Sequence, residues 1–314
     1  MTTTIDGTPL DLDDPDVRRA GLIWGCAAYL FWGLITIYWK ELERFDAFEL
    51  IGYRITSSAI VMGIVTASTG QLGPILRKLR DPDVLRRTVF AAVILTVNWT
   101  TYVWAIVHGR VIEVALGYFV TPIGLMVAGV VVLHETMHRA QQIALFFALA
   151  AVVVLTIGYG HVPWVSLLIA SSWVVYSFVK KRSSLSAVEG MTAETMVLFL
   201  PALALVAFEL ARSGGARDTA TASDWVLIGL TGVVTTLPLL MFAFAAQRLP
   251  LTVMALVQYI VPTINFLLGW LAYHEALSPV RVFGFALVWV GLLVVSADGL
   301  RRARQFRITV GGQV

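Results

Sequence analysis

Long apolar runs of close to 20 residues recur along the chain, separated by short polar segments. Such a run matches the roughly 30 Å hydrocarbon core of a bilayer at the helical rise of about 1.5 Å per residue. The alternation of apolar and polar positions that a membrane β-barrel needs is absent from them. The pattern predicts an all-α membrane protein with ten transmembrane helices. Their predicted spans are 21–39, 47–68, 88–107, 111–133, 139–158, 162–179, 191–211, 224–246, 250–273 and 279–298.

Composition points to the same class. The chain is 58% hydrophobic and 14% charged, and its mean hydropathy is +0.80. Too few polar residues are present to cover the surface of a soluble domain of this length, so the expected surroundings are a lipid bilayer. The pI near 9.1 fits cationic loops. No run combines basic and aromatic residues as a single-strand nucleic-acid groove would, so no nucleic-acid partner is expected.

Lys and Arg in the loops predict the orientation. If the N-terminus is cytoplasmic, the cytoplasmic segments hold 16 of these residues and the opposite loops hold six. Positive residues favour the cytoplasmic side, so both termini are expected there. The tails are residues 1–20 and a basic segment, 299–314.

The second half of the chain repeats the first. At an offset of 140 residues, six of the 21 positions from 115 to 135 are identical in 255–275, among them Pro122 with Pro262 and Glu135 with Glu275. This duplication predicts two repeats, 21–160 and 161–298. Five helices per repeat place the second upside down relative to the first, which gives the inverted repeats common among secondary transporters, whose substrate site lies near the membrane midplane.

Several strings resemble a known family: LFWGLITIYWKEL, FELIGYRI, NWTTYVWAIVHGRVIEVALGYFVTP, GMTAETM, TGVVTTLPLLMFAFAAQRL and QYIVPT. They are similar to RarD, the EamA-type transporters of the drug/metabolite transporter superfamily named as chloramphenicol-sensitive permeases. The resemblance covers about residues 21–298. It implies ten helices, a cytoplasmic-membrane location and transport of a small metabolite or drug-like molecule. One departure is Val107, where relatives often have Asn.

Arg54 lies some seven residues inside the second predicted span, where a charge costs a few kcal/mol or more. It either makes a structural ion pair or snorkels, or it contacts a substrate anion or takes part in coupling. Glu113, at the start of the fourth span, is the expected partner, and both side chains are expected to face the interior.

Aromatic and amide side chains predict the rest of a solute pocket, which needs apolar walls and a few oriented polar groups. The candidates are Trp32, Asn98, Trp99, Tyr102, Tyr118, Tyr176, Gln258, Tyr259 and Asn265. The alternative for any one of these aromatic residues is a place in the interfacial belt. Trp39, Trp164 and Trp225 are assigned to that belt. Pro122 and Pro262, read as mid-span, are expected to kink their helices or act as hinges.

Two other functions stay open. His134, Glu135 and His138 form HETMH, which matches the H-E-x-x-H pattern of zinc proteases. The repeated segment keeps His274 and Glu275 but has Ser278 in place of the second histidine. A helix-terminal polar cap is therefore favoured over a metal site. A non-transporting membrane scaffold is the other alternative, and the short loops argue against it.

No P-loop motif is present, so ATP is not expected to drive transport. No cofactor is expected, and either facilitated diffusion or coupling to an ion gradient is possible. Glu113 is the candidate proton carrier, with Arg54 setting its protonation. Ten helices can enclose a cavity in one chain, so a monomer would suffice, and a homodimer is also compatible with the sequence.

Overall fold

The computed structural model describes residues 14–133, 139–249, 253–254 and 257–311, and these residues form helices and short connections without a β-strand. We number the helices α1 Pro15–Glu41, α2 Ala47–Ser68, α3 Leu72–Lys78, α4 Pro82–Val107, α5 Val111–Leu133, α6 Arg139–Tyr159, α7 Trp164–Lys181, α8 Ala187–Ala211, α9 Ala216–Thr219, α10 Ala222–Ala246, α11 Ile260–Leu267 and α12 Pro279–Gly311. A π-helical turn, Leu268–Ala272, follows α11.

Within the described residues, eight helices are long and apolar enough to cross a membrane: α1, α2, α4, α5, α6, α8, α10 and α12. Two shorter apolar helices are α7, and α11 together with its π-helical turn. The all-helical prediction is confirmed for the part of the chain that the structure describes. The sequence predicted ten full spans, whereas the described residues form eight full-length spans and two shorter apolar helices.

Several helices begin before their apolar runs because polar residues cap them. Asp81 accepts a hydrogen bond from the backbone N–H of Asp83 at 2.9 Å, and Pro82 occupies the first turn of α4. Ser186 and Glu189 form a capping box at the start of α8. Each cap satisfies N–H groups that have no partner inside the helix. The predicted starts at 88 and 191 were therefore several residues late.

The helices pack in a scheme that treats the two halves of the chain alike. α1 packs on α10 as α7 packs on α4, α2 packs on α10 as α8 packs on α4, and α1 packs on α11 as α7 packs on α5. The α2–α8, α5–α11 and α6–α12 pairs each join helices that hold the same place in their halves. Exchanging the halves leaves this scheme unchanged.

Helices α2 and α8 pack against each other and run antiparallel, as contacts at their ends show. The Glu49 carboxylate, at the start of α2, accepts hydrogen bonds from the backbone N–H of Ala216, just after α8, at 3.0 and 3.2 Å. At the opposite end, Lys78 Nζ, beyond the end of α2, donates to Glu189 Oε1 at 2.7 Å. The start of α2 therefore contacts the segment after α8, and the start of α8 contacts the segment after α2.

The predicted span 250–273 differs most from the structure. Gln258 and Tyr259 form a turn, and α11 begins only at Ile260. Pro262 therefore lies in the first turn of a helix rather than mid-span, where its missing N–H leaves no hydrogen bond unmade. Pro122, by contrast, lies inside the continuous helix α5.

Glu275, from the loop after the π-helical turn, caps α5. Its carboxylate accepts the backbone N–H groups of Val111 at 2.5 Å and Ile112 at 2.9 Å. Burial raises the pKa of Glu275, while those two N–H groups and the charge of Lys40 act in the opposite direction. The polar-cap interpretation of the repeated His-Glu pair holds for Glu275; His134, Glu135 and His138 lie outside the described residues.

Candidate functional site

The Arg54 side chain is buried beside two tryptophan rings. It leaves α2 seven residues after the helix begins and is 6% exposed. Its guanidinium carbon lies 4.1 Å from the ring centroid of Trp99 and 5.2 Å from that of Trp39. Among the described residues, Nε and Nη1 of Arg54 have no hydrogen-bond partner. We call these two nitrogens the open donors of Arg54.

Tyrosines from three helices lie near this guanidinium: Tyr38 of α1, Tyr102 of α4 and Tyr118 of α5. The rings of Tyr102 and Tyr118 lie 6.2 Å apart, centroid to centroid. The buried charge therefore sits in an aromatic enclosure built from the first half of the chain.

A hydrogen-bond chain links this enclosure to the second half. Thr36 Oγ1 and the Tyr102 hydroxyl lie 2.9 Å apart, and Thr36 Oγ1 donates to Asn265 Oδ1 at 2.8 Å. Thr36 and Asn265 are both 0% exposed. Asn265 belongs to α11, so the chain connects α4, α1 and α11. Buried polar networks of this kind fix the relative positions of the helices that contribute to them.

Asn98 lies one helical turn before Tyr102 but bonds to a different helix. Its Nδ2 donates to the Ile169 carbonyl at 3.1 Å and to Ser172 Oγ at 2.9 Å, both in α7. Asn98 and Tyr102 are both buried, as expected for residues one turn apart on the same face of a helix. Asn98 therefore joins the halves beside the Arg54 enclosure.

The predicted Arg54–Glu113 pair is absent from the described structure. Glu113 Oε1 instead lies 3.3 Å from Arg110 Nη1, three residues earlier in the chain. Glu113 occupies the first turn of α5, so the loop residue Arg110 reaches it more readily than a side chain inside α2. Both Arg54 and Glu113 are buried, at 6% and 5% exposure, so the predicted interior facing is confirmed.

Four other predicted site residues lie elsewhere. Trp32 packs in an aromatic cluster, with ring centroids 5.5 Å from Tyr29 and 5.8 Å from Phe242. Tyr259 packs against the core that α5, α6 and α12 share, and Gln258 is half-buried in the turn before it. Tyr176 belongs to a separate charged cluster, described next.

A buried charge on α8 was missed in the sequence. Glu194 of α8 is 2% exposed and accepts hydrogen bonds from Lys180 Nζ at 2.9 Å and from the Tyr176 hydroxyl at 3.0 Å. The rule that singled out Arg54, a charge inside an apolar span, applies equally to Glu194. The same residue lies in GMTAETM, so the signal was present.

Trp39 was also misassigned. It is 0% exposed and lies against Arg54, so it is not a residue of the interfacial belt. Its position near the end of α1 suggested the membrane interface, but packing against α2 buries it. The contact could not be read from the position alone, because it depends on how α1 is rotated.

A small cavity of about 120 Å³ lies apart from this enclosure, between the start of α2 and the end of α8. Its lining includes Arg44, Glu49, Glu209 and Arg212. Sites for organic solutes occupy about 300–1,000 Å³, so this cavity is too small to be one. Among the described residues, no group of three or more His, Cys, Asp or Glu side chains is placed to hold a metal ion.

Sequence comparison assigns the family. Residues 19–157 and 162–297 each match the EamA-like transporter family. The chain belongs to this family. It is 40% identical over 290 residues to Protein RarD of Streptomyces exfoliatus, covering 92% of both chains. The resemblance to RarD is therefore confirmed, and the apolar helices of this EamA-like protein are those of a multi-pass membrane protein.

Other comparisons agree with this assignment. The chain is 36% identical over 290 residues to an uncharacterized transporter, YojE, of Bacillus subtilis, covering 91% of this chain and 96% of that one. A crystal structure with 19% identity has a TM-score of 0.57, covering 89% of this chain and 98% of the other. That likeness concerns the fold alone. The relatives named as transporters support a membrane transporter.

Proposed function

We propose that this protein is a secondary active or facilitative transporter that moves a small organic solute by alternating access. The observation that carries the proposal is the Arg54 enclosure: a buried cation with open donors, walled by Trp99, Tyr102 and Tyr118 and tied through Thr36 to the second half. Aromatic walls with a few oriented polar groups are the usual make-up of an organic-solute site.

The packing scheme supports alternating access. Helices α2 and α8 run antiparallel, and exchanging the two halves leaves the helix pairs unchanged. Two related halves in opposite orientation can trade conformations, which gives inward-open and outward-open states of similar energy. We infer ten membrane crossings in two inverted repeats, with α7 and the α11 segment as the two short ones.

The loop charges and the family resemblance support a place in the cytoplasmic membrane with both termini on the cytoplasmic side. In this orientation Arg54 lies nearer the outer end of α2. Glu194 lies nearer the inner end of α8. A solute crossing between the halves would meet Arg54 and Glu194 in succession.

Proton coupling is part of the proposal. Glu113 is 5% exposed, and its Oε2 has no partner among the residues described. A buried carboxylate with one unmatched oxygen can take up a proton at lower cost than a fully paired one. We propose Glu113 as the group that binds the coupled proton.

Counterflow in proteoliposomes tests transport. Vesicles containing purified protein would be loaded with an unlabelled amino acid, nucleoside, organic acid or phenicol antibiotic, and entry of the labelled compound would be followed. We expect transient accumulation of at least one compound, lost in Arg54→Gln and kept in Arg86→Gln, whose side chain is 78% exposed. Entry no faster than in protein-free vesicles for every compound would contradict the proposal.

A further inference from the structure

Arg54 and Glu194 hold corresponding positions in the two halves. Arg54 lies seven residues after the start of α2, and Glu194 lies seven residues after the start of α8. The two positions are separated by the 140 residues of the sequence repeat. Both side chains are buried, at 6% and 2% exposure, so each half buries a charge at this position of its second spanning helix.

Glu194 is neutralised within the protein. Lys180 Nζ donates to its Oε1 at 2.9 Å and the Tyr176 hydroxyl donates to its Oε2 at 3.0 Å. An opposite charge and a hydroxyl in contact offset the loss of solvation of a buried carboxylate. The second half therefore shows how this fold compensates a charge at this depth.

Arg54 has no such compensation in the described structure. Lys40, which corresponds to Lys180 in the repeat, pairs with Glu43 at 2.5 Å, away from position 54. The contacts with Trp99 and Trp39 offset only part of the cost of removing a guanidinium from water, so the rings alone leave the charge incompletely compensated.

The open donors of Arg54 show what is missing. Nε carries one N–H and Nη1 carries two, and contacts with ring faces use the charge without occupying these donors. A guanidinium matches the geometry of carboxylate and phosphate oxygens. The aromatic rings around it would receive the organic body of the same molecule.

We propose that the transported solute bears an oxyanion, a carboxylate or phosphate group, that binds the open donors of Arg54. Its organic part packs against Trp99, Tyr102 and Tyr118. This inference rests on the proposed transport function and specifies its substrate class. The solute supplies a negative charge to Arg54, just as Lys180 supplies a positive charge to Glu194.

Matched acids and amides test the inference by thermal unfolding of detergent-purified protein. The probes are benzoate with benzamide, phenylacetate with phenylacetamide, indole-3-acetate with indole-3-acetamide, and phenyl phosphate with phenol. We expect at least one anion to raise Tm by about 3 °C while its neutral partner does not. In Arg54→Gln the affinity for that anion should fall by about 10- to 100-fold, and in Arg86→Gln it should be unchanged.

A second variant gives a readout without ligand. Arg54→Met removes a buried charge and keeps the side-chain length, so the unliganded Tm should rise while the anion shift disappears. Lack of a Tm rise together with an unchanged anion shift would overturn the inference, as would an equal shift by acid and amide in the wild type, or no shift by any anion. An anion shift seen only in Glu113→Gln would also overturn it, because Glu113 would then be the partner of Arg54.

Failure of this inference differs from failure of the transport proposal. Counterflow of a neutral solute that is indifferent to Arg54→Gln would leave transport in place and remove the oxyanion requirement. Anion binding that depends on Arg54, in a protein that moves no solute, would leave the binding site in place and remove transport.

Discussion

At the scale of single residues, a hydrogen-bonded chain of buried polar groups joins three helices beside Arg54. Thr36 occupies its middle, because its hydroxyl contacts Tyr102 at 2.9 Å and Asn265 at 2.8 Å. Tyr102 in turn lies beside Tyr118 and the Arg54 charge. Removing the middle of a buried network leaves both neighbours without their partner.

We expect Thr36→Val to lower the free energy of unfolding by about 1–3 kcal/mol, because the buried Tyr102 hydroxyl and Asn265 carbonyl would lose their bonds. Chemical denaturation in detergent measures it. Tyr102→Phe serves as the second arm of a double-mutant cycle, and the two changes should cost less together than the sum of each alone. Additive costs would show that the hydroxyls act independently.

The burial of Arg54 could be predicted from the sequence, because a charge inside an apolar span must face protein or a cavity. Its neighbours could be predicted only in part. Trp99, Tyr102 and Tyr118 were found as polar or aromatic positions on spanning helices. Trp39 was missed and Glu113 was misplaced as a partner, because both contacts depend on the rotation of helices about their axes.

At the scale of helices, close approach and capping hold the bundle. Gly232 of α10 faces the backbone of α2, where an added Cβ would lie 2.4 Å from the Ser57 carbonyl carbon. Beside it, Ser57 Oγ and Thr231 Oγ1 lie 2.8 Å apart. Small residues let spanning helices approach this closely and hydrogen bond across their interface.

Gly232→Ala should therefore push α2 and α10 apart and lower stability by about 1–3 kcal/mol. Gly229→Ala in the same helix is the matched control, since no described atom lies within 4 Å of its added Cβ. That change should be neutral or stabilise by up to about 1 kcal/mol through helix propensity. Thermal unfolding in detergent compares the two, and equal Tm values would contradict the close packing.

The Glu275 carboxylate caps the start of α5, and substitution of this residue tests the contribution of the cap to stability. Glu275→Ala leaves the N–H groups of Val111 and Ile112 without their carboxylate and should cost about 0.5–2 kcal/mol. Glu43→Ala removes a half-exposed ion pair at the same end of the molecule and should change stability by less than about 1 kcal/mol. Chemical denaturation in detergent separates the two, and a smaller loss for Glu275→Ala than for Glu43→Ala would remove the capping role.

Helix existence followed from apolar run length, whereas helix ends did not. Asp81 and Ser186 begin α4 and α8 in polar sequence, which hydropathy alone places outside a span. The turn at Gln258 and Tyr259 was not predicted because most of the segment 250–273 is apolar. Pro262 was visible there, but a proline fits either a kink or a first turn, and only packing decides between them.

At the scale of the whole molecule, the repeat in the sequence corresponds to a repeat in the packing. The α1–α10 and α7–α4 pairs, and the α2–α8 pair between the halves, follow from one arrangement used twice. The odd number of spanning helices per repeat supplied the expectation of inversion. The two halves differ in their buried charges, since Arg54 in the first half corresponds to Glu194 in the second.

Topology can be checked on a Cys26→Ser background, because Cys26 is the single cysteine. We expect Arg86→Cys to react with a membrane-impermeant maleimide only from the cytoplasmic side. Glu43→Cys should react only from the opposite side, since the loop after α1 and the start of α4 lie at different ends of the bundle. Reaction of both from the same side would rule out the proposed orientation.

The most direct test of alternating access is labelling of one position in the Arg54 enclosure from both faces of the membrane. Tyr118→Cys on the Cys26→Ser background would be exposed to an impermeant maleimide in right-side-out and inside-out vesicles. We expect reaction from each side, slowed by the anion identified in the matched-pair screen. Reaction from one side only, unaffected by that anion, would contradict a site that opens alternately to both faces.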